Sequence, residues 1–234
     1  CQRADIALNA KVQAAFELHT LLTRKDNQMK KMQLMTALSI GVLSINLAFA
    51  TPKQAVEQVR DNAAQVLNIL KQANGRNDAA VRKQAEDYAT PYFDFALMTR
   101  LAVGAPWNRA SEAQKQTLVQ EFRKMLIRVY ASQMLRYKNA QVQVKDNAVA
   151  KDGGSLLRGK QIVEVRATIK PTSGQPVEAV FSTYKDGNIY RVFNVSFEGV
   201  FKLVESQRQQ FKPILDAKGV DGLIAELKSK NGSR

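Results

Sequence analysis

Residues 163–197 read VEVRATIKPTSGQPVEAVFSTYKDGNIYRVFNVSF and contain three of the four strands that we predict. Apolar and polar residues alternate here, and this period of two is typical of strands with one buried face. Asp186-Gly187 and the segment from Pro171 to Pro176 provide turns short enough to join antiparallel neighbours. An earlier alternating segment ends at the turn Asp152-Gly153-Gly154. The pattern predicts a curved antiparallel sheet of four strands, with inward positions Val142 and Val144; Val163, Val165, Ala167 and Ile169; Val177, Ala179, Phe181 and Thr183; and Ile189, Phe193, Val195 and Phe197.

Apolar residues at helical spacing lie on both sides of these strands. Before them, helical segments are expected up to Asn74-Gly75, from about residue 77 to 89, from 93 to 103, and onwards from Ser111. Ser111-Glu112-Ala113-Gln114 has the pattern of a capping box and opens the longest of these helices. After Glu198-Gly199 the helical period returns and continues to Leu227. We therefore predict one α+β domain over residues 51–234, with helices first, then the sheet, then helices.

Residues 29–50, MKKMQLMTALSIGVLSINLAFA, have the features of a secretory signal peptide. Lys30 and Lys31 precede an apolar stretch of about 18 residues, and Ala48-Phe49-Ala50 forms a small-residue cleavage site. A signal peptide belongs at an N-terminus, so we expect residues 1–28 to be a wrongly assigned start or an extension. The predicted location of the protein is the bacterial periplasm, where a chain with no cysteine beyond Cys1 avoids an unpaired thiol.

The charge of the chain points to anionic partners, and its residue counts exclude several kinds of catalytic site. The formal net charge is +14, from 35 Lys and Arg against 21 Asp and Glu. Nucleic acid, phospholipid or an acidic protein face would each suit this charge, although an export signal argues against DNA or RNA. Cys1 and His19 are the sole residues of their types. The predicted domain therefore has no histidine base, no thiol nucleophile and no Cys/His metal site.

Large apolar residues concentrate in two places, around Phe93 to Trp107 and around Phe193 to Phe211. Ordinary core packing explains such clusters, and an internal apolar pocket between the sheet and the helices would explain them equally well. Asp94, between two phenylalanines, is the carboxylate most suited to act as a buried base. A helix-capping role for Asp94 is the more common outcome for such a residue.

Seven short blocks carry a family resemblance, and they occur in this order: Phe93-Asp94-Phe95; Met98 to Gly104 with Trp107; Glu121-Phe122-Arg123; Arg128 to Ala131 with Tyr137; Glu198-Gly199-Val200; Arg208 to Phe211; and Gly219 to Leu223. Together they resemble the MlaC family, the periplasmic phospholipid-shuttle proteins also known as toluene-tolerance or ABC-transporter auxiliary components. The resemblance covers nearly all of residues 52–231. Two positions depart from it, since Asn194 stands where the family commonly has Asp and Phe201 where it commonly has Ser.

The resemblance implies a carrier without cofactor or catalytic residues that encloses a diacyl glycerophospholipid in an apolar pocket. It implies two partners, an outer-membrane lipoprotein complex and an inner-membrane ABC transporter with an MCE-domain subunit, in a pathway that maintains outer-membrane lipid asymmetry. Arg100 and Arg109 are the expected head-group contacts, because guanidinium groups suit phosphate oxygens. The expected lipid contacts are Phe95, Leu101, Trp107, Phe122, Leu126, Val163, Val165, Ile169, Phe181, Val195, Val200 and Phe211.

Two other functions remain open from the sequence. The first is an enzyme acting on a small hydrophobic substrate, with Asp94 as base and Tyr130 or Tyr184 as proton donor. The second is a periplasmic chaperone or adaptor with an apolar groove for unfolded clients.

Overall fold

An antiparallel sheet of six strands lies between helices that precede and follow it in the chain. The computed structural model describes residues 52–199 and 201–232, apart from the side chain of Ser132. The predicted signal peptide, residues 1–28 and Val200 lie outside the described residues. The helices are α1 (Lys53–Leu70), α2 (Asp78–Ala89), α3 (Phe95–Val103), α4 (Glu112–Met134) and α5 (Leu203–Gly232). The strands are β1 (Gln141–Val144), β2 (Val149–Asp152), β3 (Gln161–Lys170), β4 (Val177–Asp186), β5 (Ile189–Phe197) and β6 (Phe201–Lys202).

The α+β class and the order of elements are confirmed, whereas the predicted number of strands was too low. The four predicted strands are β1, β3, β4 and β5, and the additional ones are β2 and β6. β2 has the sequence VAKD, which does not alternate between apolar and polar residues, and β6 has only two residues. Both β1 and β2 pair with β3, at its two ends, so the order across the sheet is β1/β2, β3, β4, β5, β6.

Polar contacts, rather than a further long strand, cover the edge of β5 that faces away from β4. The side-chain amide of Gln58 on α1 donates to the carbonyl of Tyr190 (2.6 Å), and its oxygen accepts from the Tyr190 N–H (2.8 Å). The Asp94 N–H donates to the carbonyl of Val192 at 2.9 Å. Asn194 then accepts from the Val204 N–H at the start of α5 and donates to Glu205 (2.9 Å). These contacts satisfy backbone groups that would otherwise template pairing with another chain.

The Asn194 contact shows what the residue at the first departure from the expected family pattern does in this chain. An aspartate at this position would lack the N–H that Asn194 offers to Glu205, and it would place two carboxylates side by side. The aromatic ring of Phe201, the second departure, lies 6.2 Å from that of Phe197.

Helix α1 packs on one face of the sheet through small residues. Ala55, Val56 and Val59 on α1 contact a group of buried strand residues, and this cluster is called the α1 cluster below. Its strand members are Val144, Val163, Val165, Ala167 and Tyr190. Small side chains on the helix allow its backbone to approach the sheet closely.

The opposite face contacts the helices α3, α4 and α5 through a larger group of buried residues, called the helical cluster below. Phe122 on α4 meets Phe211 on α5 edge to face, with ring centroids 5.6 Å apart. A β-bulge at Ser182/Thr183 leaves Phe193 unpaired in the ladder, and its ring lies 6.1 Å from that of Tyr184. The bulge thus turns Phe193 towards the helical cluster, in which both aromatic residues belong.

Two helix ends show why the chain turns where it does. Ser111 and Gln114 form the predicted capping box, in which each side chain accepts from the other residue's N–H. Helix α5 is interrupted at Gly219, whose φ of 64° lies in the left-handed region that favours glycine. Within the described ranges, no helix has the length and apolar character needed to cross a membrane.

Candidate functional site

A cleft of about 370 Å³ opens where α3 faces the connection between β2 and β3. Its apolar wall is formed by Ala96, Leu97, Trp107, Leu156 and Leu157. Its polar lining consists of Asp94, Arg100, Arg158, Lys160 and Tyr184. Three cations and one carboxylate thus border an apolar surface, a composition that suits an amphiphilic anion.

Asp94 is held in place from both sides of its carboxylate. One oxygen, Oδ1, accepts from the Leu97 N–H at 2.8 Å and caps the start of α3. The other, Oδ2, accepts from the Tyr184 hydroxyl at 2.5 Å. Burial of Tyr184, reinforced by this hydrogen bond and by the negative charge of Asp94, raises the pKa of the phenol well above its usual range. Tyr184 therefore stays protonated and serves as a donor to Asp94.

These contacts assign Asp94 the capping role that the sequence left as an alternative to a base. Of the two tyrosines considered as donors, Tyr184 reaches Asp94 and Tyr130 does not line the cleft. Burial raises the pKa of Tyr130 to about 12. Capping of a helix N-terminus by a carboxylate is stabilising in itself, so the position of Asp94 needs no catalytic explanation.

The three cations of the cleft differ in how well their charges are neutralised. Lys160 lies 3.3 Å from the Asp186 carboxylate, and its ammonium group is 5.2 Å from the centre of the Tyr184 ring. Arg100 and Arg158 are both exposed. Neither guanidinium has a hydrogen-bond or ion-pair partner among the residues that the structure describes. Two arginine side chains are therefore available to an anion in the cleft.

The β2–β3 connection, residues 153–160, supplies four of the lining residues. Gly153 closes it, because its N–H donates to the carbonyl of Lys160 and a Cβ at Gly153 would lie 2.3 Å from that oxygen. Leu157, which is 6% exposed, anchors the connection in the helical cluster. The next residue, Arg158, adopts a left-handed conformation with φ 51°. This reversal places an exposed cation directly after a buried leucine.

The structure divides the predicted contact residues among three places. Arg100 and Trp107 line the cleft, whereas Arg109 ends the neighbouring 3-10 turn, Ala105–Arg109, and does not. The helical cluster includes Phe122, Leu126 and Phe211, and Phe95 and Leu101 pack against it. The α1 cluster contains or contacts Val163, Val165 and Phe181, and strand alternation places Ile169 and Val195 on that same face. The sheet therefore lies between the predicted contacts on the α1 side and those that belong to the helical cluster. Lipid contact by each of these residues stays a prediction, and Val200 lies outside the described residues.

Asp94 and Tyr184 entered the sequence-based site predictions only as base and proton donor of the alternative enzyme. The other cleft residues that those site predictions did not include are Ala96, Leu97, Leu156, Leu157, Arg158 and Lys160. The β2–β3 connection offers one usable signal. Leu156-Leu157 is an apolar pair within a glycine-rich loop, directly followed by Arg158 and Lys160. An apolar pair in a turn indicates an anchored loop, and the adjoining cations indicate an anion nearby.

No group of three or more His, Cys, Asp or Glu side chains in residues 52–199 and 201–232 is arranged to hold a metal ion.

Two comparisons with known proteins bear on the site. The model of the family described as MlaC protein matches residues 57–229. Among solved structures, the chain is similar to the phospholipid-binding protein from Ralstonia solanacearum, which was determined in complex with a phospholipid. The two chains are 26% identical, with a TM-score of 0.61, and the match covers 76% of this chain and 97% of the other.

Proposed function

Because the chain belongs to the MlaC family, we propose that it is a carrier that binds a diacyl glycerophospholipid and shuttles it through the periplasm. The observation that supports this most directly is the composition of the cleft, where two guanidinium groups without a partner among the described residues adjoin an apolar wall. The phosphate of a lipid would meet Arg100 and Arg158, and the first part of its acyl chains would meet Trp107 and the leucines.

The volume of the cleft limits what it can hold. At about 370 Å³ it lies at the lower end of ligand pockets, so it accommodates a head group and the upper part of the acyl chains. Both complete chains need further apolar space than this cleft provides. The similarity to a protein determined in complex with a phospholipid supports a fold that can hold such a ligand.

A carrier of this kind solves a solvation problem. Burial of one CH₂ group is worth about 0.8 kcal/mol, so exposing two acyl chains to water costs on the order of 20 kcal/mol. A protein pocket exchanges one apolar environment for another, and transfer from a bilayer is then close to balanced. The direction of transport is set by relative affinities for donor and acceptor.

The proposed partners are an outer-membrane lipoprotein complex and an inner-membrane ABC transporter with an MCE-domain subunit, and the proposed role is maintenance of outer-membrane lipid asymmetry. The family membership supports these assignments. The net charge of +14 supports docking to acidic surfaces, an interaction that salt should weaken.

Native mass spectrometry of the purified protein, without added lipid, tests the proposal. We expect one diacyl phospholipid per chain, released by gentle activation and identified by its mass. Trp107→Ala removes apolar surface from the cleft wall, and we expect retention weakened by up to about 30-fold, the effect of losing about 2 kcal/mol at a binding hot spot. Tyr137→Ala is the matched control, because Tyr137 is 36% exposed and does not line the cleft. A protein that is empty and takes up no lipid from vesicles would refute the carrier function.

A further inference from the structure

We propose that the cleft selects phospholipids whose head group carries a net negative charge, such as phosphatidylglycerol, over zwitterionic phosphatidylethanolamine. This inference rests on the proposed carrier function and goes further by naming the class of head group. It follows from the balance of free and neutralised charges in the cleft.

The carboxylate of the cleft is already engaged by two neutral donors. Asp94 accepts from the Leu97 N–H and from the Tyr184 hydroxyl, one bond to each oxygen. Each oxygen keeps a second lone pair, so a ligand ammonium group would share this carboxylate with two fixed donors. Asp94 therefore contributes one negative charge to the cleft, against the two arginines.

The cations of the cleft present the opposite situation. Lys160 is paired with Asp186, but Arg100 and Arg158 have no acceptor among the described residues. Nearby, Lys115 lies 5.9 Å from the Trp107 ring centre and is paired with Glu112 at 2.8 Å. With Lys160 paired to Asp186 and with Asp94 counted, the two arginines leave a net positive charge facing a ligand in the cleft.

A phosphodiester carries one negative charge, and two guanidinium groups can share its oxygens. In phosphatidylethanolamine the ammonium group lies close to that phosphate and would be repelled by the same arginines. The head group of phosphatidylglycerol bears hydroxyls in this position, which carry no charge and can hydrogen-bond. Repulsion of about 1 kcal/mol at this range corresponds to a preference of about fivefold.

A competition experiment measures this preference directly. Delipidated protein is incubated with vesicles that contain equal amounts of dioleoyl-phosphatidylglycerol and dioleoyl-phosphatidylethanolamine, and it is then separated. Mass spectrometry quantifies each lipid per chain. Because both lipids share one vesicle and one acyl composition, vesicle charge and chain length affect both equally. We expect about five molecules of phosphatidylglycerol for each phosphatidylethanolamine, and a smaller ratio at high salt.

Two double variants locate the effect. In Arg100→Gln/Arg158→Gln the ratio should fall to about one, whereas Arg100→Lys/Arg158→Lys should keep most of the preference because the charge remains. The control Arg76→Gln/Arg82→Gln has the same net charge as the first variant, but neither residue lines the cleft, so its ratio should match the wild type. Thermal unfolding of each variant confirms that it is folded.

The outcomes separate this inference from the carrier function. Uptake of both lipids in equal amounts by the wild type would overturn the selectivity and leave the carrier function intact, whereas uptake of neither would refute the carrier function. A preference that survives Arg100→Gln/Arg158→Gln would show that the cleft is not its source. Inorganic phosphate should lower the ratio no further than sodium chloride at the same ionic strength. If phosphate abolished the preference where chloride did not, the cleft would be a site for soluble phosphate, and the lipid assignment would be wrong.

Discussion

The two faces of the sheet bury side chains by different means. On one face α1 lies against the strands through alanines and valines, and Ala55, Val165 and Ala167 are fully buried. On the other face Tyr184 and Phe193 meet the helical cluster, and the same tyrosine forms part of the cleft. The first face gains stability from close packing. The second combines packing with polar groups, and two of these, Arg100 and Arg158, have no partner among the described residues. Exposed guanidinium groups beside an apolar wall can pair with the phosphate of an amphiphilic ligand.

The largest loss of folding stability is expected for a substitution on the α1 face of the sheet, at Val165. This residue is 0% exposed, so Val165→Asp buries an unpaired carboxylate and should lower the free energy of unfolding by more than about 4 kcal/mol. Val165→Ala, which removes apolar volume alone, should cost about 2 kcal/mol and remain folded. Urea denaturation measures both.

Gln141→Asp is the control, because Gln141 is exposed in β1 and pairs with Lys170 on β3. Its free energy of unfolding should stay within about 0.5 kcal/mol of the wild type. If Val165→Asp behaved like this control, the close packing of α1 on the sheet would be wrong.

An intermediate loss of stability is expected on the helical side of the sheet, where the side chain of Glu121 on α4 contacts the end of α5. Glu121 is 6% exposed and accepts hydrogen bonds from Lys124 and from the amide of Asn231, both 2.8 Å long. Burial by itself raises the pKa of Glu121, but these hydrogen bonds and the charges of Lys124 and Lys228 outweigh it, so the net pKa is lowered. The ionised carboxylate therefore stabilises the fold above the pKa of an unfolded glutamate. That contribution is lost as the pH falls through the lower pKa of the folded state.

Glu121→Gln should consequently cost about 1–3 kcal/mol at pH 7 and progressively less below pH 4. Urea unfolding of the wild type and the variant across this pH range measures the difference. Glu112→Gln on the same helix is the control, since the side chain of Glu112 is 82% exposed. A difference between wild type and Glu121→Gln that did not shrink in acid would contradict the lowered pKa.

The smallest effect is expected at Tyr184, where the sheet borders the cleft. Tyr184→Phe removes the hydroxyl that donates to Asp94, at a cost of about 1 kcal/mol, and leaves the ring in place. Phospholipid uptake should stay unchanged, because the remaining cap holds Asp94 against α3. In the wild type the pKa of Tyr184 is raised, so the phenol stays protonated and keeps this hydrogen bond at pH values above the usual pKa of tyrosine. The hydrogen bond is lost when the pH passes the pKa of Tyr184 in the folded state.

Tyr137→Phe, at a partly exposed tyrosine outside the cleft, is the matched control for stability. A loss of lipid uptake in Tyr184→Phe without loss of stability would show that the hydroxyl contacts the ligand. Asp94 and Tyr184 would then be part of a functional pair instead of a helix cap.

Local patterns predicted the elements of this fold well, because each pattern has a local physical cause. The alternation in Val163 to Ile169 follows from strand geometry, and the capping box at Ser111 satisfies N–H groups within one turn. The pairing of β2 with β3 was missed, since Val149–Asp152 is short and mostly exposed. Strand β2 is stabilised by its pairing with a neighbouring strand, and no local sequence pattern indicates that pairing.

The candidate site was harder to predict than the elements. Arg100 and Trp107 were expected near the ligand and do line the cleft, but Arg109, two residues after Trp107, does not. The difference depends on which way the 3-10 turn Ala105–Arg109 directs each side chain, which sequence spacing alone does not specify. Arg158 was missed because its place in the cleft depends on the left-handed conformation that follows Leu157.

The sequence by itself determined the α+β class, the order of helices and strands, the resemblance to MlaC and the absence of histidine and cysteine beyond residue 19. These properties depend on composition, on periodicity and on contacts between near neighbours. The tertiary structure decided which apolar residues face α1 and which face the other helices. It also paired Asp94 with Tyr184 and brought Arg100 and Arg158 to one cleft, where neither has an acceptor among the described residues. Such decisions require long-range packing, because the residues that meet in the cleft are as many as 90 positions apart in the chain.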